Sequence, residues 1–214
     1  IKKMRELFKN VREKLVAKYL KNNISKSYSK NTKKFKPRIK ARIRKNKHLI
    51  SKNFDTFFNW IKGAELIELK SCNIKEDPVR PELDNKFRTS YGRKIYGVKY
   101  RKELCAVMCF GFTNDIPTTV KELDLMTKDA HLQSTLRDQK VGRIAIAYTI
   151  WSKKKGGGKL IVKEVFKKIK KSNHLNRLVT LSPLTEMATQ FHTRNGAKLV
   201  QINETTQNFE YKVL

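Results

Sequence analysis

Acidic side chains are scarce in this 214-residue chain: 19 Asp and Glu stand against 49 Lys and Arg, a formal net charge of +30. Cysteine is scarcer, with only Cys72, Cys105 and Cys109. On one strand Cys105 and Cys109 would lie about 13 Å apart, too far for a disulfide. No disulfide framework is therefore expected, and the chain reads as one for the cytoplasm or another reducing compartment. Four histidines, His48, His131, His174 and His192, are scattered without metal-ligand spacing, so no metal site is expected. No apolar run approaches the roughly 18 residues of a membrane span, and the first residues carry no secretory pattern. Gly-x-Ser-x-Gly, His-Glu-x-x-His and a Walker loop ending in Gly-Lys-Ser/Thr are all missing, which argues against serine hydrolase, zincin and nucleotide triphosphatase readings. No internal repeat is visible.

The positive charge is uneven. Residues 1 to 62 hold 21 Lys and Arg against Glu6, Glu13 and Asp55, which is +18 of the total and leaves +12 for the rest. Met4, Leu7, Phe8, Val11, Leu15, Tyr19 and Leu20 recur near i, i+3, i+4 spacing and predict an amphipathic helix. Its apolar stripe is expected to dock on the domain or a partner rather than on a membrane surface. Residues 21 to 47 have hardly any aliphatic side chains to offset their ordering entropy and read as a flexible arm. Lys33, Lys34, Lys36, Arg38, Arg42 and Arg44 make this arm a candidate for non-specific binding of nucleic acid or a ribonucleoprotein, with Tyr28 and Phe35 available to stack on bases. Residues 1–47 thus form a basic extension. A domain over 48–214 begins with an apolar helix from His48 to Lys62, ended by Gly63.

From there the pattern is mixed α/β. Ala64 to Leu69 is a candidate first strand, and Asp77-Pro78-Val79-Arg80-Pro81 marks a loop. Arg80, Arg88, Tyr91 and Arg93 then gather before a predicted hairpin, Lys94 to Tyr100 and Glu103 to Phe112. Ile116 to Met126 reads as a short helix with Pro117 in its first turn, and Thr127 to Lys140 as a polar excursion carrying Asp129 and His131 two residues apart. The apolar run Val141 to Trp151 meets Lys153-Lys154-Lys155-Gly156-Gly157-Gly158 and then a lysine-rich helical pattern, Lys159 to Lys171. Strand, glycine turn and helix in that order build an anion site, because glycines turn the backbone N–H groups inward and the helix N-terminus adds positive potential. Arg177 to Leu181 reads as a strand, Thr185 to Asn195 as a helix capped by Thr185 and closed by Gly196, and Lys198 to Ile202 and Asn208 to Val213 as two last strands.

With those elements in place, the chain from about Ala64 to Leu214 resembles the GNAT acyltransferase superfamily. In that family the fourth strand runs into an Arg/Gln-x-x-Gly-x-Gly/Ala loop; here Gly156 and Gly158 match its glycines and Lys153 takes the Arg/Gln position. The family's Asn-x-x-Ala-x-x-Leu-Tyr-x-x-x-Gly-Phe helix maps onto Thr185 to Ala197, with Ala188 and Gly196 matching, Phe191 at the leucine, His192 at the tyrosine and Ala197 at the phenylalanine. The resemblance implies a GNAT-like mixed sheet and acetyl-CoA or another acyl-CoA as cosubstrate. It implies that Ile150, Trp151, Ser152, Lys153, Gly156, Gly157, Gly158 and Lys159 bind that cosubstrate.

The implied reaction is acyl transfer from the thioester to an amine. It needs a polarised carbonyl, held by a backbone N–H near Ile150 to Ser152, and a proton for the departing thiolate. His192, at the tyrosine position, is the candidate donor; beside Phe191 it also reads as a packing residue. Glu103 and Tyr148 are the candidate bases, although an amine already neutral in the site needs none. Ser182-Pro183 closes the fifth strand, where the serine either hydrogen-bonds the acyl-CoA or acceptor or simply begins the turn. The competing class is a non-catalytic nucleic-acid-binding or assembly protein, of a phage or organelle particle, on the same scaffold.

Overall fold

The computed structural model describes Trp60 and residues 63–211. The amphipathic stripe of residues 4–20, the basic arm with Lys33, Lys34, Lys36, Arg38, Arg42 and Arg44, and nearly all of the helix expected over 48–62 lie outside the described residues.

Eight strands form one mixed sheet: β1 Ala64–Leu69, β2 Lys94–Tyr100, β3 Glu103–Thr113, β4 Ile144–Ser152, β5 Arg177–Thr180, β6 Ser182–Pro183, β7 Ala197–Ile202 and β8 Thr206–Tyr211. The order is β1-β2-β3-β4-β5-β8-β6, with β7 also paired to β8. All pairings are antiparallel except β4 with β5, where Ile144 faces Arg177 and Ala147 faces Thr180. Among the described residues four α-helices accompany the sheet: α1 Asn85–Thr89, α2 Val120–Arg137, α3 Gly157–Lys170 and α4 Glu186–Arg194. Side chains of Asp84, Thr119 and Thr185 cap α1, α2 and α4 by accepting N–H groups of their first turns.

Strand alternation splits the core into two layers. Val107 and Cys109 of β3 join Ile95, Ile144, Ile146, Val179 and Leu181 in one cluster, sealed by Leu123 of α2. The intervening Ala106, Met108 and Phe110 are buried on the other face with Ile161, Val165 and Ile169 of α3. Gly157 is part of that second contact: a Cβ there would come within 3.3 Å of the Ala106 Cβ and 3.1 Å of the Cys105 carbonyl, so glycine is what lets the start of α3 lie on β3.

The expected strands agree with the observed ones to within a few residues, but the segment after the hairpin does not. α2 starts later than expected and continues through the stretch expected to be a polar excursion, ending only at Arg137 before left-handed Asp138. Leu123, Thr127 and Ala130 give it a buried seam, while Leu125, Leu132 and Leu136 point to solvent and blur the helical period. Asp129 and His131 therefore sit on one helix two positions apart, facing different ways. Asp129 accepts from Gln133 at 2.7 Å and the His131 ring meets Tyr91 edge-on at 6.0 Å, so they form no acid/base pair.

The arginine cluster is also mostly interior. Arg88 is fully buried with Asp77, 2.8 Å from its carboxylate, and Arg93, 3% exposed, reaches Asp124 at 3.0 Å and Thr127 at 2.7 Å. Burial opposes the Arg88 charge, but the Cys109 thiol and the Asp77 carboxylate outweigh it and hold the guanidinium protonated. Among the described residues no helix is long and apolar enough to cross a membrane, and no group of three or more His, Cys, Asp or Glu is placed to hold a metal ion.

Candidate functional site

The parallel pairing of β4 and β5 is short. Its last rung runs from the Leu181 N–H to the Ala147 carbonyl at 2.8 Å, after which β4 continues to Ser152 while the other chain turns into β6. A register shift in the β3–β4 pairing, where Cys109 faces Thr149 but Phe110 faces Ala147, leaves Tyr148 as an extra residue and bends β4 at the point of divergence. The gap between the strands opens into an inner slot of about 460 Å³, bordered by Val79, Tyr148 to Ser152, Ser182, Pro183, Ala188, Phe191 and His192.

Ser152, Gly158, Met187 and Phe191 also border an outer groove of about 670 Å³, so the two form one continuous channel. The outer part begins at the N-terminus of α3. Gly156 sits there with φ +84° and no side chain caps the helix, so its first N–H groups have no partner within the helix. Lys159 and Arg194 line the same wall. The Gly157 N–H already donates to the Lys154 carbonyl at 2.8 Å, so the donors offered to an anion are the N–H groups of Gly158 and Lys159, at the positive end of the helix and beside two cations.

The lysine run is used differently from the expectation. Lys153 Nζ is 2.6 Å from Glu76 Oε1 and Lys154 Nζ lies 4.6 Å from the centre of the Tyr100 ring, and neither side chain borders the channel. Lys159 and Arg194 are the channel's cations instead; Arg194 was not anticipated, since only the fold brings the last turn of α4 opposite the first turn of α3. Of the three glycines, Gly156 and Gly158 border the channel, while Gly157 lies beneath it.

At the inner end, His192 is 5% exposed. Its Nε2 is 2.8 Å from Ser182 Oγ and its Nδ1 2.7 Å from Tyr211 Oη, and the ring stacks on Phe209 at 5.1 Å. Ser182 Oγ lies a further 3.0 Å from Thr180 Oγ1, which accepts the Phe209 N–H. A chain of hydrogen bonds therefore runs from Tyr211 through the imidazole to a serine on the wall of the slot. Burial pushes the imidazole down to about 4, from 6.5, so it is neutral at pH 7. Tyr148 borders the slot, but it is 1% exposed, its ring packs edge-on to Phe87 at 5.9 Å, and burial first, then the Cys109 thiol, raises its hydroxyl well above the usual range. Glu103 stands exposed at the β2–β3 turn beside Lys153 and Lys154, outside the slot.

No protein-family description matches the sequence, and no curated protein matches it. Solved structures do match by shape. The malonyl-CoA decarboxylase of Rhodopseudomonas palustris superposes with a TM-score of 0.54 at 14% identity over 80% of this chain, which spans 65% of that protein. A Bacillus subtilis acetyltransferase in complex with CoA gives 0.48 at 13% identity, over 71% of this chain and 99% of that one. The GNAT domain of S. lividans PAT gives 0.45 at 9% identity, over 70% and 90%. By shape, the chain shares the fold of the first of these structures. Within that fold, the residues picked from the GNAT motifs are brought together around one channel, apart from Glu103, Lys153 and the buried Gly157. Ser182 was visible only as a strand-end serine, and Tyr211 carried no sequence signal, because its pairing with His192 depends on the β7–β8 register.

Neutral His192 has a stability consequence. Its folded value lies below that of the unfolded chain, so its contribution is complete above pH 6.5 and is lost as pH falls from 6.5 towards 4. A shift of that size corresponds to about 3 kcal/mol. Urea unfolding at pH 7 and pH 4.5 should show a loss approaching that amount in the parent, and a clearly smaller loss in His192→Gln. Equal acid sensitivity in the two would place the titrating group elsewhere.

Proposed function

We propose that this protein is an acyl-CoA-dependent enzyme that binds the CoA phosphates at the start of α3 and works on the thioester beside Ser182 and His192. The observation that carries this reading is the single channel with an uncapped, cation-flanked helix N-terminus at one end and a buried Ser–His–Tyr chain at the other. The reaction that fits the GNAT fold is transfer of the acyl group to an amine. The amine attacks the thioester carbonyl, the C–S bond breaks, and the proton released by the new ammonium passes through the Ser182 hydroxyl to the thiolate, with neutral His192 orienting that hydroxyl.

A second reading is favoured by the likeness to the R. palustris malonyl-CoA decarboxylase and by the lining of Val79, Ile150, Pro183, Ala188 and Phe191. An apolar slot disfavours a solvated carboxylate. On a malonyl-type thioester the bond to the carboxylate would break, CO2 would leave, and the resulting enolate would take a proton at its α-carbon, supplied through Ser182 and replaced from solvent.

Two assays separate the readings. The full-length protein is incubated with acetyl-CoA and a panel of amines while free thiol is followed, and with malonyl-CoA while acetyl-CoA formation is followed. Transfer releases thiol; decarboxylation produces acetyl-CoA without it. Ser182→Ala should lower whichever reaction occurs by about a hundredfold or more. Acetyl-CoA at about 100 times its dissociation constant should stabilise the fold by roughly 2.7 kcal/mol; no stabilisation and no turnover would overturn the proposal. The charge of +18 over residues 1–62 supports a polyanionic partner such as nucleic acid, and we keep that association as part of the proposal.

A further inference from the structure

We propose that Arg80 is a positioning residue that sets the backbone phase of β4, so that the Ile150 N–H faces the place where a thioester carbonyl would lie. The inference rests on the acyl-CoA reading above and adds a role for a side chain that the GNAT motifs do not include.

The reasoning begins with the bulge. Ala147 and Tyr148 are consecutive, yet both carbonyls point toward the gap: that of Ala147 accepts from the Leu181 N–H at 2.8 Å and that of Tyr148 accepts from Arg80 Nε at 3.2 Å. In a regular strand successive carbonyls alternate sides. A trans peptide directs its C=O and N–H oppositely, so turning the Tyr148 carbonyl toward Arg80 sends the Thr149 N–H toward β3. Alternation then assigns the N–H groups of Thr149, Trp151 and Lys153 to β3 and those of Ile150 and Ser152 to the slot. The Lys153 N–H does bond β3, at the Cys105 carbonyl, 2.9 Å away. Without the extra residue the phase would be shifted by one, and the Ile150 N–H would be used up in the sheet.

The bulge has a cost that Arg80 meets. It leaves the Tyr148 carbonyl without a strand partner, and the divergence does the same for the Leu181 carbonyl, which accepts from Arg80 Nη2 at 3.4 Å. One guanidinium therefore bridges both strands where their ladder stops. A rigid loop presents it: Asp77 Oδ1 accepts the N–H groups of Val79 and Arg80 at 2.8 and 3.1 Å and the Thr149 hydroxyl at 2.7 Å. Arg88 Nη2 donates to the Arg80 carbonyl at 2.7 Å.

The test uses the full chain, Arg80→Met and Arg80→Lys, with CoA and with acetyl-CoA carrying a 13C carbonyl. Affinities are measured by calorimetry, and the bound carbonyl stretch by isotope-edited infrared spectroscopy. In the parent, hydrogen bonding to Ile150 should lower that frequency relative to free acetyl-CoA. Arg80→Met should keep CoA affinity within about twofold, weaken acetyl-CoA about tenfold and lose the frequency shift; Arg80→Lys should recover part of both. A parent-like shift in Arg80→Met overturns the inference, as does an equal loss of CoA and acetyl-CoA in both variants, which would make Arg80 a strut for the fold alone. A parent protein that binds CoA but shows no carbonyl shift also overturns it, whereas a parent that binds no CoA overturns the acyl-CoA reading instead.

Discussion

Asp77→Ala should lower the unfolding free energy by about 3–5 kcal/mol, the range for removing one member of a buried ion pair. Both partners are excluded from water, and the substitution leaves the Arg88 guanidinium inside the fold without its anion. It also removes the acceptor for two loop N–H groups and for the Thr149 hydroxyl on β4. Arg88 retains its bonds to the carbonyls of Leu83 and Arg80, so the arginine side chain stays anchored and its charge stays buried. Urea denaturation at pH 7 reads the effect directly. The double variant Asp77→Ala/Arg88→Met should regain part of the loss, because the stranded charge goes with the guanidinium. A loss below about 1 kcal/mol in the single variant would mean that water reaches Arg88 and that the loop does not depend on the pair.

Gly158→Asp should reduce CoA affinity by about a hundredfold or more while leaving the fold intact. A Cβ at this position lies 2.9 Å from Phe191 Cε2 and 3.2 Å from Cζ, so the ring edge must shift. The carboxylate then stands among the first-turn N–H groups, where phosphate is proposed to sit. An acidic residue in the first turn of a helix is intrinsically favourable by about 0.3–1 kcal/mol, which offsets the crowding. Thermal stability should thus change little while binding collapses. Gly158→Ala separates the two effects, since it adds the crowding without the charge and should weaken CoA much less. Calorimetric titration of both variants checks this, and parent-like affinity in Gly158→Asp would mean the phosphates bind elsewhere.

What could be read in the sequence was whatever local period and local turn chemistry encode. β1 and β2 were legible to the residue: Gly63 marks the start of one, and the aromatic and β-branched side chains of the other favour a strand. The order of strand, glycine turn and helix at α3 was legible, although the helix begins at Gly157 rather than at the expected Lys159. Length of α2 was not, since its exposed leucines obey no single face and only packing against β3 selects the Leu123, Thr127, Ala130 seam. The direction of Lys153 was not legible for a similar reason: its charge is plain in the sequence, but its side chain pairs with Glu76, 77 residues away in the chain. His192 was singled out by motif, whereas its two hydroxyl partners come from β6 and β8 and meet it only once the sheet is built.

The beginning of α3 has one more implication. Glycine costs a helix about 1 kcal/mol per position relative to alanine, and a side-chain cap is typically worth about as much. Here the first turn gives up both, with Gly156, Gly157 and Gly158 in succession and no capping side chain. Packing on β3 requires glycine at 157 and the left-handed backbone favours it at 156, so the fold itself accounts for those two, whereas Gly158 borders the channel. A redesign that repaired the helix at position 158 would therefore narrow the opening of the channel, and one that did so at 156 or 157 would disturb the seat of α3 on the sheet.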